Sequence, residues 1–211
     1  MSALFELLYP PRCAFCGARG VRGVCAGCAA RLPRLKQPLR TGASYGVCAA
    51  PLAYEGVART ALLRFKFRRA RYAAPALGRM VAQCAAEELG GRFDVVTWVP
   101  TARGRVRRRG YDQSYLLARY AARVWDTKPQ RLLRKLRNNP PQSGLSAAER
   151  RGNVLGAYAA AAPNRIRGRR ILLIDDVITT GATLGECARV LREAGAESVV
   201  CACFASASTE K

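Results

Sequence analysis

The clearest hydrophobic pattern in the chain is a run of four apolar residues, 171–174, followed at once by two carboxylates. A continuous apolar run of this kind predicts a strand that is buried on both faces. After a short turn, apolar residues recur with the i, i+3, i+4 and i+7 spacing of one helix face, at Leu184, Cys187, Ala188 and Leu191. The pattern therefore predicts a strand, an acidic pair, a turn and a helix, in that order.

Strands and helices alternate along much of the remaining chain. Strands are predicted over 45–54, 94–99 and 198–204, and helices over 57–65 and 72–89. Asp112 can cap a further helix, whose inner face would comprise Leu117, Tyr120, Ala121 and Val124. Residues 29–43 contain two prolines and are interpreted as a linker. The alternation predicts an α/β fold with a parallel sheet whose faces are covered by helices.

The turn after the acidic pair has the chemistry of an anion site. A turn that enters a helix presents free backbone N–H groups at the positive end of the helix dipole. Gly181 lets the backbone approach an oxyanion, and the turn adds hydroxyl donors at Thr179, Thr180 and Thr183. Asp175 and Asp176 stand at the carboxyl end of the strand, where open α/β sheets bind ligands. A ribose 5-phosphate would satisfy both halves, whereas an ordinary capped helix needs only one such residue.

Four cysteines near the amino terminus form two C-x2-C pairs separated by eight residues: Cys13, Cys16, Cys25 and Cys28. Paired knuckles at this spacing predict a closed tetrahedral zinc site, which is structural because it leaves no open coordination position. Disulfides and a redox pair are the alternatives, and a cytoplasmic setting disfavours disulfides. The segment is too short for a core of its own, so zinc would supply much of its folding energy.

Composition limits the function further. The chain has 211 residues, a formal net charge of +22 and no histidine, so triads and metal sites built on histidine are excluded. The basic excess favours polyanionic partners, although a merely solvated basic surface is the simpler alternative. The sequence has no apolar run of membrane-spanning length and no signal peptide, so we expect a cytoplasmic protein.

The arginines are clustered and exceed what one small ligand needs. Single-stranded nucleic acid would use them, with Phe67, Tyr111 or Tyr115 as stacking surfaces, although these rings can equally belong to the core. The candidate nucleic-acid contacts are Arg68, Arg69, Arg107, Arg108 and Arg109.

Several motifs resemble a known family. Residues 171–183 resemble the phosphoribosyl-pyrophosphate (PRPP) signature of type I phosphoribosyltransferases. Val99-Pro100, the stretch 109–113 and the block 142–158 resemble the ComF family, the ComFC group of competence proteins that is often labelled amidophosphoribosyltransferase-like. An amino-terminal four-cysteine module is also typical of that family.

This resemblance implies a type I phosphoribosyltransferase-like domain over 44–211, after a zinc module and linker over 1–43. A flexible hood loop over about 129–164 would cover the site. Asp175 and Asp176 would hold the ribose hydroxyls as the catalytic pair. The PRPP contacts would also include Val177, Thr179, Thr180, Gly181, Ala182 and Thr183. The pyrophosphate loop would be Thr101, Ala102 and Arg103, and Mg²⁺ would accompany PRPP.

Two functions follow from the resemblance and the charge. In the first, the chain is a competence protein that binds incoming single-stranded DNA beside an uptake helicase and holds PRPP or a nucleotide-like 5-phosphate. In the second, it is an active phosphoribosyltransferase that releases pyrophosphate to an unknown acceptor. Purine-salvage enzymes resemble the motif but carry an aspartate where Thr179 stands, so purine salvage is disfavoured. The acceptor and the oligomeric state are left open.

Overall fold

The computed structural model describes residues 10–137 and 154–207. The helices are α1 (Ala26–Ala29), α2 (Gly56–Phe67), α3 (Ala74–Leu89), α4 (Arg103–Arg109), α5 (Gln113–Ala122) and α6 (Ala182–Glu193). The strands are β1 (Leu39–Gly42), β2 (Gly46–Ala49), β3 (Leu52–Ala53), β4 (Val95–Trp98), β5 (Leu133–Lys135), β6 (Tyr158–Ala160), β7 (Arg170–Ile178) and β8 (Ser198–Ser206). In these two ranges, no helix combines the length and apolar character needed to cross a membrane.

Six strands form the main sheet, in the order β1-β2-β8-β7-β4, with β3 also paired to β8. Its pairings are parallel except at one edge, where β1 runs antiparallel to β2. The parallel α/β fold expected from the alternating pattern is therefore confirmed. Parallel strands end at the same edge of a sheet, so the segments that follow β4 and β7 meet there.

The two central strands are buried on both faces, as their apolar runs predict. In β7, Leu172 and Ile174 face one core, whereas Ile171 and Leu173 face the other. The first core lies beneath α2, α3 and α5, and the second lies beneath α6 and the β5–β6 pair. Successive side chains of a strand point to opposite faces, so one continuous apolar run serves both cores.

The amino-terminal module packs onto the sheet. Phe15 is 1% exposed, and its ring centroid lies 6.0 Å from that of Phe204 on β8. Cys13, Ala14 and Cys28 belong to the same core as α2 and α3. The module therefore shares the core of the main domain, which gives this short segment a hydrophobic anchor.

The interpretation of 29–43 as a linker is wrong for its last part. Residues 39–42 form β1, which makes a hairpin with β2, so the expected boundary between 43 and 44 falls inside this hairpin. Proline lacks an N–H group, but the carbonyls of Pro33 and Pro38 accept hydrogen bonds from Ala53 and Ala50. Pro38 thus continues the hairpin register as an acceptor, because Leu39 pairs with Ala49 and Pro38 lies opposite Ala50, whereas Pro33 accepts a hydrogen bond from β3.

Three other expectations need correction. The strand expected over 45–54 is divided into β2 and β3 around Pro51, which cannot donate a backbone hydrogen bond. Val124 is 48% exposed, because α5 ends at Ala122 and Arg123–Trp125 form a 3₁₀ turn, whose tighter winding changes the direction in which Val124 points. The segment expected to be a hood loop has ordered ends, since β5 and β6 pair as antiparallel strands. Its middle, 138–153, lies outside the described residues, and so do residues 142–153 of the family-like block 142–158.

Candidate functional site

A cavity of about 260 Å³ lies at the carboxyl ends of β4 and β7. The segment 175–184, from the end of β7 into α6, supplies about half of its lining. Tyr54, the segment 99–101 after β4, and residues from α2, α4, α5 and the β5–β6 pair supply the rest. The candidate PRPP contacts that line it are Asp175, Asp176, Val177, Thr179, Thr180, Gly181, Ala182 and Thr183. The topology therefore brings this motif to the edge of the sheet where α/β folds bind ligands.

The two carboxylates are held by partners within the protein. Asp176 is 6% exposed and accepts a hydrogen bond from the Lys66 ammonium at 2.8 Å. Asp175 Oδ1 accepts hydrogen bonds from Ser114 Oγ at 2.8 Å and from the backbone N–H of Asp176 at 2.8 Å. β7 continues through both residues to Ile178, so the acidic pair belongs to the strand. The pair is thus fixed by backbone geometry and by three donors before any ligand arrives.

The carboxyl group of Asp175 and the ammonium group of Lys66 both have pKa values above their ordinary range. Burial and the neighbouring Asp176 carboxylate together raise the pKa of Asp175 to about 7. Burial opposes the charge of Lys66, but its attraction to Asp176 outweighs burial and raises the Lys66 pKa. Lys66 therefore stays charged at neutral pH, whereas Asp175 changes charge near neutrality.

The threonine-rich turn presents backbone donors at the start of α6. The first helical hydrogen bond runs from Gly185 N–H to the Gly181 carbonyl, so the amides of the first helical turn have no intrahelical acceptor. Gly181 has a φ of +77°, and a Cβ there would lie 2.3 Å from Tyr45 Cε1. Glycine is thus required at position 181 by the backbone conformation and by the packing of Tyr45. These are structural reasons for the glycine, in addition to the expected approach of an anion.

The expected pyrophosphate loop lies only partly in the cavity. Thr101 lines the cavity, Ala102 is 2% exposed beneath α4, and Arg103 lines a neighbouring depression together with Arg107. The expectation that Arg103 faces the ligand is therefore not supported, because residues 103–109 form a helix.

Two other arginines of α4 line the cavity. Arg105 and Arg109 are four residues apart, so they lie on one face of α4, whereas Arg103 and Arg107 lie on another. Lys135 of β5 adds a further cation, and its ammonium lies 3.0 Å from the Tyr158 hydroxyl. The cavity thus combines two carboxylates with four cationic side chains, Lys66, Arg105, Arg109 and Lys135.

Arg109 connects the cavity to an exposed aromatic ring. Its guanidinium lies 5.1 Å from the centroid of Phe67, which is 66% exposed. The same guanidinium donates to Gln113 Oε1 at 2.7 Å, and its Nε is buried without a hydrogen-bond partner among residues 10–137 and 154–207. Burial lowers the pKa of Arg109. An anion beside Nε would compensate for that burial.

The other candidate nucleic-acid contacts are on the surface. Arg68 and Arg69 follow Phe67 at the end of α2, and Arg107 and Arg108 lie on α4; all four are exposed. Among the three candidate stacking rings, Tyr111 is buried. Tyr115 is partly buried and packs against Trp98 at 4.9 Å between ring centroids. Phe67 is therefore the ring of the three that is open for stacking.

The four cysteine sulfurs form a second candidate site. They lie within 4.8 Å of one another, and those of Cys16 and Cys25 are 3.8 Å apart. Four thiolates at about 2.3 Å from a tetrahedral zinc would be about 3.8 Å apart, so the donor set fits the metal. The cysteines are free thiols and form no disulfide.

The protonation of these thiols is uneven without metal. Burial disfavours the thiolate of Cys13, but hydrogen bonds from backbone N–H groups lower its pKa to about 6. Burial and the neighbouring thiols raise the pKa of Cys28 to about 12. Zinc binding would release the proton of Cys28, because only thiolates coordinate the metal.

Sequence reasoning missed several residues of the cavity. Lys66 and Ser114 contact the acidic pair but come from helices far along the chain. Lys135 and Tyr158 come from the ends of the segment expected to be a hood loop. One local signal was available for the arginines. Arg105 and Arg109 have i, i+4 spacing, and Gly110 can end a helix, so the sequence could have indicated two arginines on one side of a short helix.

Comparison with protein families identifies two domains. Residues 112–211 match the phosphoribosyl transferase domain, and residues 4–61 match the double zinc ribbon domain. Within the described part of this chain, one four-cysteine cluster is present. The stretch 31–46, which follows this cluster, contains no cysteine.

Similar proteins include the competence protein F of Haemophilus influenzae, which is 39% identical over 103 residues, covering 48% of this chain and 45% of that protein. The DNA utilization protein YhgH of Salmonella typhimurium is 32% identical over 149 residues, covering 67% and 63% of the two chains. The competence protein ComFC of Bacillus subtilis is 31% identical over 142 residues, covering 67% and 56%. The matches thus span about half to two thirds of these relatives.

The solved structures that match part of this chain include the glutamine PRPP amidotransferase of B. subtilis. It is 30% identical, with a TM-score of 0.42, and the match covers 63% of this chain and 26% of that one.

Proposed function

We propose that this chain, which belongs to the ComF family, handles single-stranded DNA during DNA uptake. The chain joins a double zinc ribbon domain to a phosphoribosyl transferase domain. In this proposal it acts in the cytoplasm, beside an uptake helicase, and binds PRPP or a nucleotide-like 5-phosphate in the cavity. The names of its relatives, competence protein and DNA utilization protein, support the DNA part. The domain match supports the phosphoribosyl part.

The observation that carries the proposal is the contact between Arg109 and Phe67. Phe67 offers an open ring, and Arg109 lies both over that ring and in the cavity wall. Stacking of a base on an aromatic side chain, together with a phosphate on an adjacent arginine, is how proteins hold single strands without sequence preference. One residue therefore joins a surface suited to a strand with a cavity suited to a sugar phosphate.

The surrounding charge supports a strand rather than a single small ligand. Arg68, Arg69, Arg107 and Arg108 are exposed around the ends of α2 and α4. The net charge of +22 exceeds what one sugar phosphate would neutralise. Neutralisation of strand phosphates releases counterions, so the affinity for DNA should fall steeply as salt rises.

Inside the cavity, the turn at 179–183 would bind the 5-phosphate through the amides at the start of α6 that have no intrahelical acceptor and through the threonine hydroxyls. Asp175 and Asp176 would accept hydrogen bonds from sugar hydroxyls. When PRPP is the ligand, Mg²⁺ would neutralise diphosphate charge, and these two carboxylates are the acidic groups of the cavity that fit it. Arg105 and Arg109 would contact the remaining phosphate charge.

The DNA part can be tested with two substitutions of one residue. We expect Phe67→Ala to weaken binding of a single-stranded oligonucleotide by about 5- to 150-fold, the range for loss of one stacked base. Phe67→Tyr keeps the ring and should keep the affinity. Fluorescence anisotropy over a series of salt concentrations measures both. Equal affinities for the wild type and Phe67→Ala would exclude Phe67 as the stacking surface, and a flat salt dependence would exclude a phosphate-based interface.

The phosphoribosyl part can be tested by calorimetry with PRPP and Mg²⁺. We expect binding by the wild type and its loss when Asp175→Asn and Asp176→Asn are combined. Addition of single-stranded DNA should compete if the strand enters the cavity. Absence of PRPP binding to a folded wild type would refute this part.

A second candidate, an active phosphoribosyltransferase, is favoured by the four cations around the acidic pair. That charge suits displacement of magnesium-bound pyrophosphate from the anomeric carbon of PRPP. If the protein is an active phosphoribosyltransferase, we expect pyrophosphate release that depends on an added acceptor and is lost in the double asparagine variant.

A further inference from the structure

Each carboxylate of the acidic pair already accepts a hydrogen bond from a donor within the protein. Lys66 neutralises Asp176 at 2.8 Å. Ser114 and the Asp176 amide both donate to Asp175 Oδ1. These donors all come from the protein itself, so each carboxylate keeps a strong partner when the cavity holds no sugar.

These internal partners determine how much affinity the site loses when the sugar lacks a 2-hydroxyl. Sites that rely on a ligand hydroxyl reject the analogue without it by about 10⁴- to 10⁵-fold, because a buried polar group is then left unpaired. Here, loss of the hydroxyl would leave Asp176 paired with Lys66 and Asp175 paired with Ser114. The cost then approaches one net hydrogen bond, which corresponds to about a two- to tenfold loss of affinity.

Lys66 is also adjacent in sequence to Phe67, the open ring on the surface. Its ammonium contacts the acidic pair, while the next residue packs under Arg109. The last turn of α2 therefore supplies both the cation that pairs with Asp176 when no sugar hydroxyl is present and an aromatic surface for a base.

We propose that the cavity accepts 2-deoxyribose 5-phosphate about as well as ribose 5-phosphate, and that Lys66 is the residue that sets this tolerance. The inference rests on the proposed phosphoribosyl site and names its ligand class: sugar phosphates derived from DNA. Two sources share this chemistry, the 5′-phosphorylated end of a strand and a free deoxynucleotide.

The first test compares ribose 5-phosphate with 2-deoxyribose 5-phosphate by calorimetry on the zinc-loaded, full-length protein in a buffer containing Mg²⁺. We expect the two dissociation constants to differ by less than about tenfold. A preference for ribose of more than 100-fold would overturn the inference and leave the ribose-phosphate site in place. Absence of binding by both sugars and by PRPP would overturn the proposed phosphoribosyl function together with the inference.

The second test assigns the tolerance to Lys66. Lys66→Met keeps an unbranched side chain but leaves Asp176 without its cation, so the ratio of the two dissociation constants should rise at least tenfold in favour of ribose. Lys135→Met is the matched control: it removes a cavity cation whose hydrogen-bond partner is Tyr158, so both sugars should weaken equally. An unchanged ratio in folded Lys66→Met would overturn the role of Lys66. Should that variant fail to fold, the wild-type ratio still decides the inference.

The source of the sugar phosphate is distinguished by competition against PRPP. Competition by a 5′-phosphorylated oligodeoxynucleotide, but not by the same strand with a 5′-hydroxyl, would identify a strand end. Competition by deoxynucleoside monophosphate alone would identify a free nucleotide. Both outcomes support a deoxyribose-tolerant site, and failure of all three competitors would overturn it.

Discussion

Replacement of Asp175 by asparagine should stabilise the protein at alkaline pH, although it alters the proposed ligand site. The asparagine side chain would keep an oxygen that accepts from Ser114 and from the Asp176 amide. The substitution removes a carboxyl group whose pKa is raised to about 7 by burial and by Asp176. It thus isolates the cost of ionising this side chain from the loss of its hydrogen bonds.

The sign and size follow from linkage. Because the folded pKa lies above the ordinary value of 3.8, the folded state binds more protons than the unfolded state between about pH 4 and pH 7. Stability therefore falls as pH rises through this window. A rise from 3.8 to about 7 is worth at most about 4 kcal/mol. Of this, about 2.5 kcal/mol is lost between pH 5 and pH 8.

Urea unfolding of the wild type and Asp175→Asn at pH 5 and pH 8, at constant ionic strength and zinc, measures the effect. We expect the stability advantage of the variant to grow by about 1 to 2.5 kcal/mol between the two pH values, or by roughly 2 to 10 °C in melting temperature.

Asp94→Asn is the matched control. Hydrogen bonds from Arg170 lower the pKa of Asp94, so its contribution is fully present at both pH 5 and pH 8 and is lost only at lower pH. Asp94→Asn should therefore change the free energy of unfolding by the same amount at pH 5 and at pH 8. An advantage of Asp175→Asn that is constant or shrinks toward pH 8 would refute the assignment of a raised pKa to Asp175.

Two further predictions concern the turn and the metal module. Gly181→Ala should destabilise the protein by about 1 to 3 kcal/mol, because its φ is +77° and a Cβ would meet Tyr45. Tyr45→Ala should recover part of that loss in a double-mutant cycle, and strictly additive effects would exclude the clash. Cys13→Ser should abolish stoichiometric zinc binding and cost at least about 3 kcal/mol, because the module anchors Phe15 against Phe204. Elemental analysis and thermal unfolding measure this, and full zinc occupancy in the variant would contradict the four-thiolate site.

Local patterns in the sequence were sufficient for the secondary structure around the cavity. The apolar run at 171–174 and the helical spacing after Leu184 predict β7 and α6, because burial on two faces and burial on one stripe require different periodicities. The Asp112 cap is also local, and its side chain accepts from the Tyr115 amide as expected. The cysteine spacing likewise predicted the four-sulfur cluster.

The polar partners in the cavity depend on tertiary packing. Lys66 reaches Asp176 across 110 positions of sequence, and Ser114 reaches Asp175 across 61. Whether Arg103 or Arg105 faces the ligand depends on the rotation of α4 about its axis, because the two arginines lie on different faces of this short helix.

Neighbours a few residues apart were enough to predict the four metal ligands, the acidic pair, the strands β4, β7 and β8, and the helices α2, α3, α5 and α6. Tertiary packing, by contrast, gives the acidic pair its own cation and places an open ring beside it. Charge pairing and solvent exposure depend on which helices cover the sheet edge. That choice is made by the whole core rather than by any single segment.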